Sequence, residues 1–344
     1  MRLVPLAIIV TAVLTLQDAA ARSLADPLFE SHDILKVSII APIEKIVRER
    51  STEEFAPGTL RLVGSDGSTS DFDIGIRARG NFRRENCAYP PAWLKFKKSQ
   101  VRGTVFENQK RIKLVVHCER SPRFEQILLR EYLAYRMLNE LTDNSFRVRL
   151  LRITYVDIKD DAERPPRYAF LIEHKKRLAA RLERKSLNVE RTSVSALDPV
   201  QLNLTAVFQY FIGNTDFSPI AGSPGESCCH NYVLLGDSEN PVLPVPYDFD
   251  QSGFVGAPYA SPSDRLPIRH VRTRLYRGRC VNNDQLSDSL KQFEEKRNVI
   301  YALIANQVGL EPGTRRVLTH YTDGFFKLAN NPQKLRQRLE RGCL

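Results

Sequence analysis

The sequence predicts an α+β protein in two lobes, β-rich over residues 35–185 and mainly helical over residues 186–344. Three observations carry that expectation. Alternating apolar and polar residues dominate up to about Cys118, most clearly over 71–80, where Phe72, Ile74, Ile76 and Ala78 fall on one side. A strong helical pattern follows over 123–141, with Ile127, Leu128, Tyr132, Tyr135 and Leu138 at helical spacing. From residue 284 onward the pattern is helical throughout.

Taken in order, the chain begins with Arg2, an apolar run over 6–16, and Ala19-Ala20-Ala21. Short positive start, short apolar core and small residues predict a cleavable export signal cut after Ala21. The core is too short to span a bilayer comfortably, so an uncleaved anchor is the weaker alternative. Residues 22–34 read as a linker. Strands are expected over 34–40, 59–63, 71–80, 92–96 and 111–116, with turn chemistry at 65–70. After the helix at 123–141 come strands at 146–158 and 167–173 and a basic helix or turn at 174–184. A helix over 199–213 is capped by Asp198. Short strands at 232–235 and 242–245 follow, then a Pro/Ser-rich loop at 258–267. Helices are expected over 284–308, 312–328 and 332–341. There is no internal repeat, and no stretch after the leader is apolar and long enough to span a membrane.

The 344 residues are 42% hydrophobic and 26% charged, which suits a globular protein with a real core. Net charge is +11, and losing the leader removes Arg2 and Asp18, which cancel. A basic balance favours anionic partners such as nucleotides. A nucleic-acid partner is not expected, because aromatic platforms do not interleave with Lys/Arg runs. The six cysteines are an even set in an exported chain and predict disulfides. Cys87 with Cys118 is the best pair, since they flank neighbouring strands. One of Cys228 or Cys229 with Cys280 is the second. A zinc site from Cys228, Cys229 and His230 is disfavoured, because adjacent residues point apart while zinc ligands are usually spaced.

The chemistry concentrates in residues 207–253. An apolar helix ends in Asn214-Thr215-Asp216. A loop closes at His230-Asn231, and two short strands deliver Asp248-Phe249-Asp250. Helix, polar loop, strand, turn, strand and acidic turn is the order of phosphotransferase sites of the protein-kinase type. Asp216 is the candidate to orient an acceptor hydroxyl or take its proton. Asn231, Asp248 and Asp250 are the candidate metal side, since Mg²⁺ takes carboxylate oxygens together with phosphate oxygens and waters. On an extended segment Asp248 and Asp250 would face the same way. A cation is needed on the nucleotide phosphates, and Lys95, Lys97 and Lys113 on the predicted strands are the candidates. Glu131, amid apolar residues of the 123–141 helix, is the candidate partner carboxylate. At Arg79-Gly80-Asn81 a glycine would let backbone approach a phosphate. Asn203-Leu204-Thr205 matches a glycosylation sequon inside a predicted helix and is taken as chance. No Gly-x-Ser-x-Gly elbow or Glu-x-x-His helix supports a hydrolase.

The stretches IRARGNF (76–82), AWLKFKK (92–98), YVDI…RYAFLIEHK (155–175), GNTDF (213–217), HNY (230–232) and PYDFDQSG (246–253) together resemble the spore coat protein H (CotH) kinase-like family. The likeness rests on their order and covers about residues 72–255. It implies an atypical protein-kinase fold, bilobal, with ATP and a divalent ion, Mg²⁺ or Mn²⁺, as cofactors. It also implies phosphorylation of an exported or envelope protein, and it favours Lys95 as the phosphate-binding lysine. The alternative is a catalytically inactive relative serving as a structural or binding protein of the envelope.

Overall fold

A computed structural model describes residues 26–223 and 225–344. The expected signal and its cut after Ala21 lie outside the described residues. The described residues open with a short 3-10 turn, Pro27–Phe29, and then strand β1 (Leu35–Ala41), helix α1 (Ile43–Glu49), β2 (Ala56–Val63) and β3 (Thr69–Ala78). Helix α2 (Phe82–Asn86) leads to β4 (Ala92–Phe96), β5 (Arg111–Val116) and the long helix α3 (Arg123–Leu141). Then come β6 (Val148–Asp157), β7 (Arg167–Ile172), α4 (Lys175–Arg181), β8 (Lys185–Ser186) and α5 (Pro199–Ile212). Strands β9 (Tyr232–Gly236) and β10 (Leu243–Pro246) precede α6 (Leu286–Glu295), α7 (Arg297–Asn306), α8 (Pro312–Ala329) and α9 (Pro332–Gly342).

The bilobal, protein-kinase-like architecture expected from the sequence does not form. The first seven strands close into a barrel in the order β1-β2-β3-β4-β5-β7-β6. The cause is β6. After α3 it returns to pair antiparallel with β7 and, on its other edge, parallel with β1, Leu35 opposite Leu151 through Ala41 opposite Asp157. Closure removes the edges an open sheet would leave. Alternation then sorts the side chains. Ile39, Leu60, Ile76, Leu94, Leu114 and Leu171 fill the barrel interior.

Strands β5, β6 and β7 are apolar on both faces, and this decides where the helices go. Their outward residues Val115, Leu150, Phe170 and Ile172 share one continuous core with Leu133 of α3 and Phe208 of α5. Helix α3 is therefore buried around most of its surface, including Glu131 and Tyr135. The helices thus lie on the outer wall of the barrel. Strands β10-β9-β8 form a separate small sheet. The helix expected over 284–308 is broken at Lys296 into α6 and α7.

Arg149 of β6 is 3% exposed despite its charge. Its guanidinium donates to the carbonyls of Leu28, Ser31 and Asp33 and so fixes the segment ahead of β1. Cys87 pairs with Cys118 as expected. Cys280 does not pair with the 228–229 pair; it bonds Cys343, while Cys228 and Cys229 bond each other. That bond leaves no thiolate for a zinc site there. Disulfides place the chain in an oxidising compartment. Among the described residues no helix is long and apolar enough to cross a membrane. Asn203 of the sequon is buried in α5, donating to Asn282 O and accepting from Ser289 Oγ.

Candidate functional site

A polar cleft of about 310 Å³ lies where the outer barrel wall meets the loops after α5 and β10. It brings together Arg79, Lys113, Glu131, Asp216, Asn231, Asp248 and Asp250. Lys95 and Lys97 are not in it. Lys95 is exposed beside the Phe55 ring, 5.5 Å from its centroid. Lys97 is exposed and pairs with Asp73 at 2.6 Å. The two strands β4 and β5 explain the difference. Trp93 is opposite Lys113 and Lys95 is opposite Arg111, so all four share the outer face. Only the Lys113 end is covered by the second half of the chain: its Nζ lies 4.5 Å from the Tyr247 ring centroid. Burial pushes the Lys113 ammonium down to about 7, with Arg79 adding to the shift and Asp248 opposing it. Neither Lys113 nor Arg79 has a carboxylate within ion-pair distance among the described residues.

Glu131 does not pair with Lys95. Its Oε2 accepts from Arg83 Nη1 at 3.0 Å, and Asp250 lies 4.0 Å from the same nitrogen. Arg83 also donates to Val116 O at 2.5 Å. Burial pushes the carboxyls of both Glu131 and Asp250 up, against the pull of Arg83. Tyr259 adds a hydrogen bond to Asp250 at 3.0 Å. Sequence reasoning missed Arg83. It sits in an Arg-Arg pair on a short helix and looks solvated. The signal was the nearby Cys87, whose bond to Cys118 pins α2 against the end of β5.

Asp216 follows the C-terminus of α5. Gly213 ends that helix with φ +65°, and a Cβ there would collide with the Tyr321 hydroxyl, so glycine is required. Asn214 Oδ1 accepts from the Asp216 N–H at 3.0 Å, and Arg277 Nη1 donates to the carbonyls of Thr215 and Phe217 on either side. The Asp216 carboxylate is 42% exposed and has two partners. His230 Nε2 is 2.8 Å from Oδ1, and Asn231 Nδ2 donates to Oδ2 at 3.0 Å and to the Asp216 carbonyl at 2.7 Å. His230 Nδ1 in turn is 3.0 Å from Ser223 Oγ. The hydrogen bond to Asp216 pushes the His230 imidazole up. Sequence reasoning weighed His230 only as a zinc ligand and missed this contact.

Asn231 and Asp248 both have left-handed backbones, φ +56° and +64°, which Asn and Asp tolerate better than most residues. The turn at Asp248 is held by its N–H donating to Tyr135 Oη at 2.8 Å, and by Tyr247 N–H donating to Asn231 O at 3.0 Å. Such strain gathers at functional sites and persists only where the surroundings enforce it. It also means that Asp248 and Asp250 do not point the same way, because the segment is not extended. Asp250 turns into the buried Arg83 and Tyr259, while the partly exposed Asp248 carboxylate has no hydrogen-bond or ion-pair partner among the described residues.

Among the described residues no group of three or more His, Cys, Asp or Glu side chains is arranged to hold a metal by itself. A magnesium-class ion does not need one, since it is commonly held by one or two carboxylates plus substrate phosphates and waters. The unpartnered Asp248, the nearby Asp250 and the Asn231 amide, whose Oδ1 has no partner among the described residues, fit that requirement. Comparison with protein-family models finds no match for this chain, and comparison with curated proteins finds none either.

Proposed function

We propose that the chain is a kinase-like phosphotransferase working outside the cytosol, which moves the γ-phosphoryl group of ATP to a hydroxyl of an exported or envelope protein. The observation that supports it best is a single cleft holding unpaired charges of both signs. Among the described residues Arg79 and Lys113 have no carboxylate, and Asp248 has no cation or donor. Phosphoryl transfer asks a protein mainly for positioning and for charge against a polyanion. Arg79 and Lys113 would bear on the phosphates. Asp248, with Asn231 and Asp250, would hold Mg²⁺ or Mn²⁺, which supplies positive charge to the phosphate oxygens. Asp216 would orient the acceptor. The acceptor oxygen bonds to the γ-phosphorus as the bond to the bridging β-phosphate oxygen breaks. The hydroxyl proton goes to the Asp216 carboxylate, and ADP leaves. The order of motifs resembling the spore coat protein H kinase-like proteins agrees with this chemistry, as does the export signal that the sequence predicts over residues 1–21.

The test uses purified protein, Mn²⁺ and ATP labelled at the γ-phosphate. Wild type should show a thermal shift with Mn²⁺ and ATP and incorporate label. Asp216→Ala should keep the shift and lose incorporation. Absence of both signals in the wild type would leave a catalytically silent envelope protein instead.

A further inference from the structure

Residues 265–279 carry six arginines and no acidic residue. The segment has no helix or strand, yet it is firmly placed. Upstream, Tyr259 Oη donates to Asp250 and Ser261 N–H donates to Gln251 Oε1, both at the cleft. In the middle, the Val271 carbonyl lies against Gly253 so closely that a Cβ there would collide with it. Arg274 donates to Phe211 O, at the end of α5, and Arg277 grips the carbonyls flanking Asp216. The segment therefore runs from the Asp250 side of the cleft to the Asp216 side. Two of its arginines, Arg274 and Arg277, are used to hold backbone. Arg265, Arg269 and Arg272 are exposed, and with Arg279 they have no side-chain hydrogen bond or ion pair among the described residues.

We infer that this arginine strip docks an acidic stretch of the polypeptide that presents its hydroxyl to Asp216, so the substrate class is an acidic peptide. The inference rests on the phosphotransferase reading for its acceptor but not for its binding. Unpaired guanidiniums in a row recognise carboxylates, singly or bidentately. Carried on a segment that ends at the Asp216 loop, they also attract an anionic partner toward the cleft. Nucleic acid is the poorer fit, because the one Phe, Tyr or Trp of the strip, Tyr276, is buried, which leaves the His270 imidazole as its single exposed ring.

Binding is measured without nucleotide, by fluorescence anisotropy of two labelled serine peptides of equal length, one flanked by glutamates and one by lysines. The acidic peptide should bind and the basic one should not. Affinity for the acidic peptide should fall steeply between low and physiological salt. It should fall about tenfold or more in Arg265→Glu/Arg269→Glu/Arg272→Glu, with an unchanged melting temperature and an unchanged thermal shift by Mn²⁺ and ATP. Equal binding of both peptides, or an acidic peptide held as tightly by the triple variant, overturns the inference. So does tighter, arginine-dependent binding of single-stranded DNA or phosphatidylglycerol vesicles. If the acidic peptide binds through these arginines but is never labelled, the docking strip stands and the phosphotransferase reading falls. If label enters both peptides equally, in wild type and variant alike, the phosphotransferase reading stands and the docking strip falls.

Discussion

The two walls of the cleft carry opposite charges and treat them differently with depth. The barrel side supplies Lys113 from β5, Arg79 just past β3 and Arg83 from α2; the loops after α5 and β10 supply Asp216, Asp248 and Asp250. In the buried layer the charges meet. Arg83, with 11% of its side chain exposed, pairs with Glu131 and lies near Asp250. Nearer the mouth they stay apart: Arg79 and Asp248, which water still reaches, are unmatched among the described residues, and the more enclosed Lys113 can go unmatched because burial holds its ammonium down to about 7. The physics forces this order. A buried charge without a partner costs several kcal/mol, so the deep groups must be paired for the chain to fold. A charge that water still reaches can be left unmatched, ready for a ligand. The Arg83–Glu131 pair is thus structural, Asp250 stands between the two layers, and the outer set is the part that can work.

The sharpest way to break that comparison is to remove an outer charge. Lys113→Met and Asp248→Asn should each lower phosphoryl transfer by about 10³-fold, comparable with losing a principal electrostatic group in other active sites, while leaving the melting temperature within a few degrees. Lys95→Met, on the same barrel face but outside the cleft, should change neither. A large loss of stability in Lys113→Met would place that lysine among the structural set. Titration sharpens the point. Burial holds the Lys113 ammonium at about 7, so at pH 8 much of the free protein lacks this cation. A bound triphosphate favours the charged form and raises that value, so ATP binding at pH 8 should take up protons. Calorimetry in buffers of different ionisation enthalpy reads this uptake directly, and Lys113→Met should abolish it.

The buried layer has its own test. The bond between Cys87 and Cys118 closes a loop across a sequence separation of 31 and anchors α2, which carries Arg83. Cys87→Ser/Cys118→Ser should cost about 3–4 kcal/mol by loop entropy. It should also release Arg83 from Glu131, so that activity falls along with stability. Urea melts and label incorporation on the same samples check both. A variant that loses stability and keeps full activity would show that Arg83 finds Glu131 without the clamp.

What could be seen in the sequence was local, and what could not was long-range or depended on cover. Strand β3 and helix α3 were legible because alternation and helical spacing act within a few residues. The order Asp216, Asn231, Asp248, Asp250 was legible because each stands at an element end. Barrel closure was not, since it rests on β1 meeting β6 across more than a hundred residues, a pairing no periodicity records. Lys95 and Lys113 are on one face of neighbouring strands, and only the arrival of Tyr247 over one of them separates their roles. Cys343 pairs with Cys280 across a separation of 63, which spacing alone could not choose over the nearer cysteines.

The smallest expected effect lies at the boundary between the layers, where Asp216 is exposed but not unpartnered. His230 and Asn231 hold its two oxygens, so the carboxylate is aimed while water still reaches it. The imidazole is raised by its hydrogen bond to Asp216, and the sign of the linkage follows. A raised histidine adds stability that is fully present below its unfolded value near 6.5 and is lost as pH rises through the folded value. With both side chains about a third or more exposed, solvent screening keeps this contribution to about 0.5 kcal/mol or less. The larger consequence is kinetic. A protonated His230 holds the Asp216 charge in an ion pair and makes it a poorer proton acceptor. Activity should therefore rise with pH as His230 loses its proton, until Lys113 discharges. His230→Gln keeps a donor toward Asp216 but cannot titrate, so it should retain activity within a few-fold and lose the rising acidic limb of the profile. An unchanged pH profile in His230→Gln would assign that limb to another group and leave His230 as a strut for the loop.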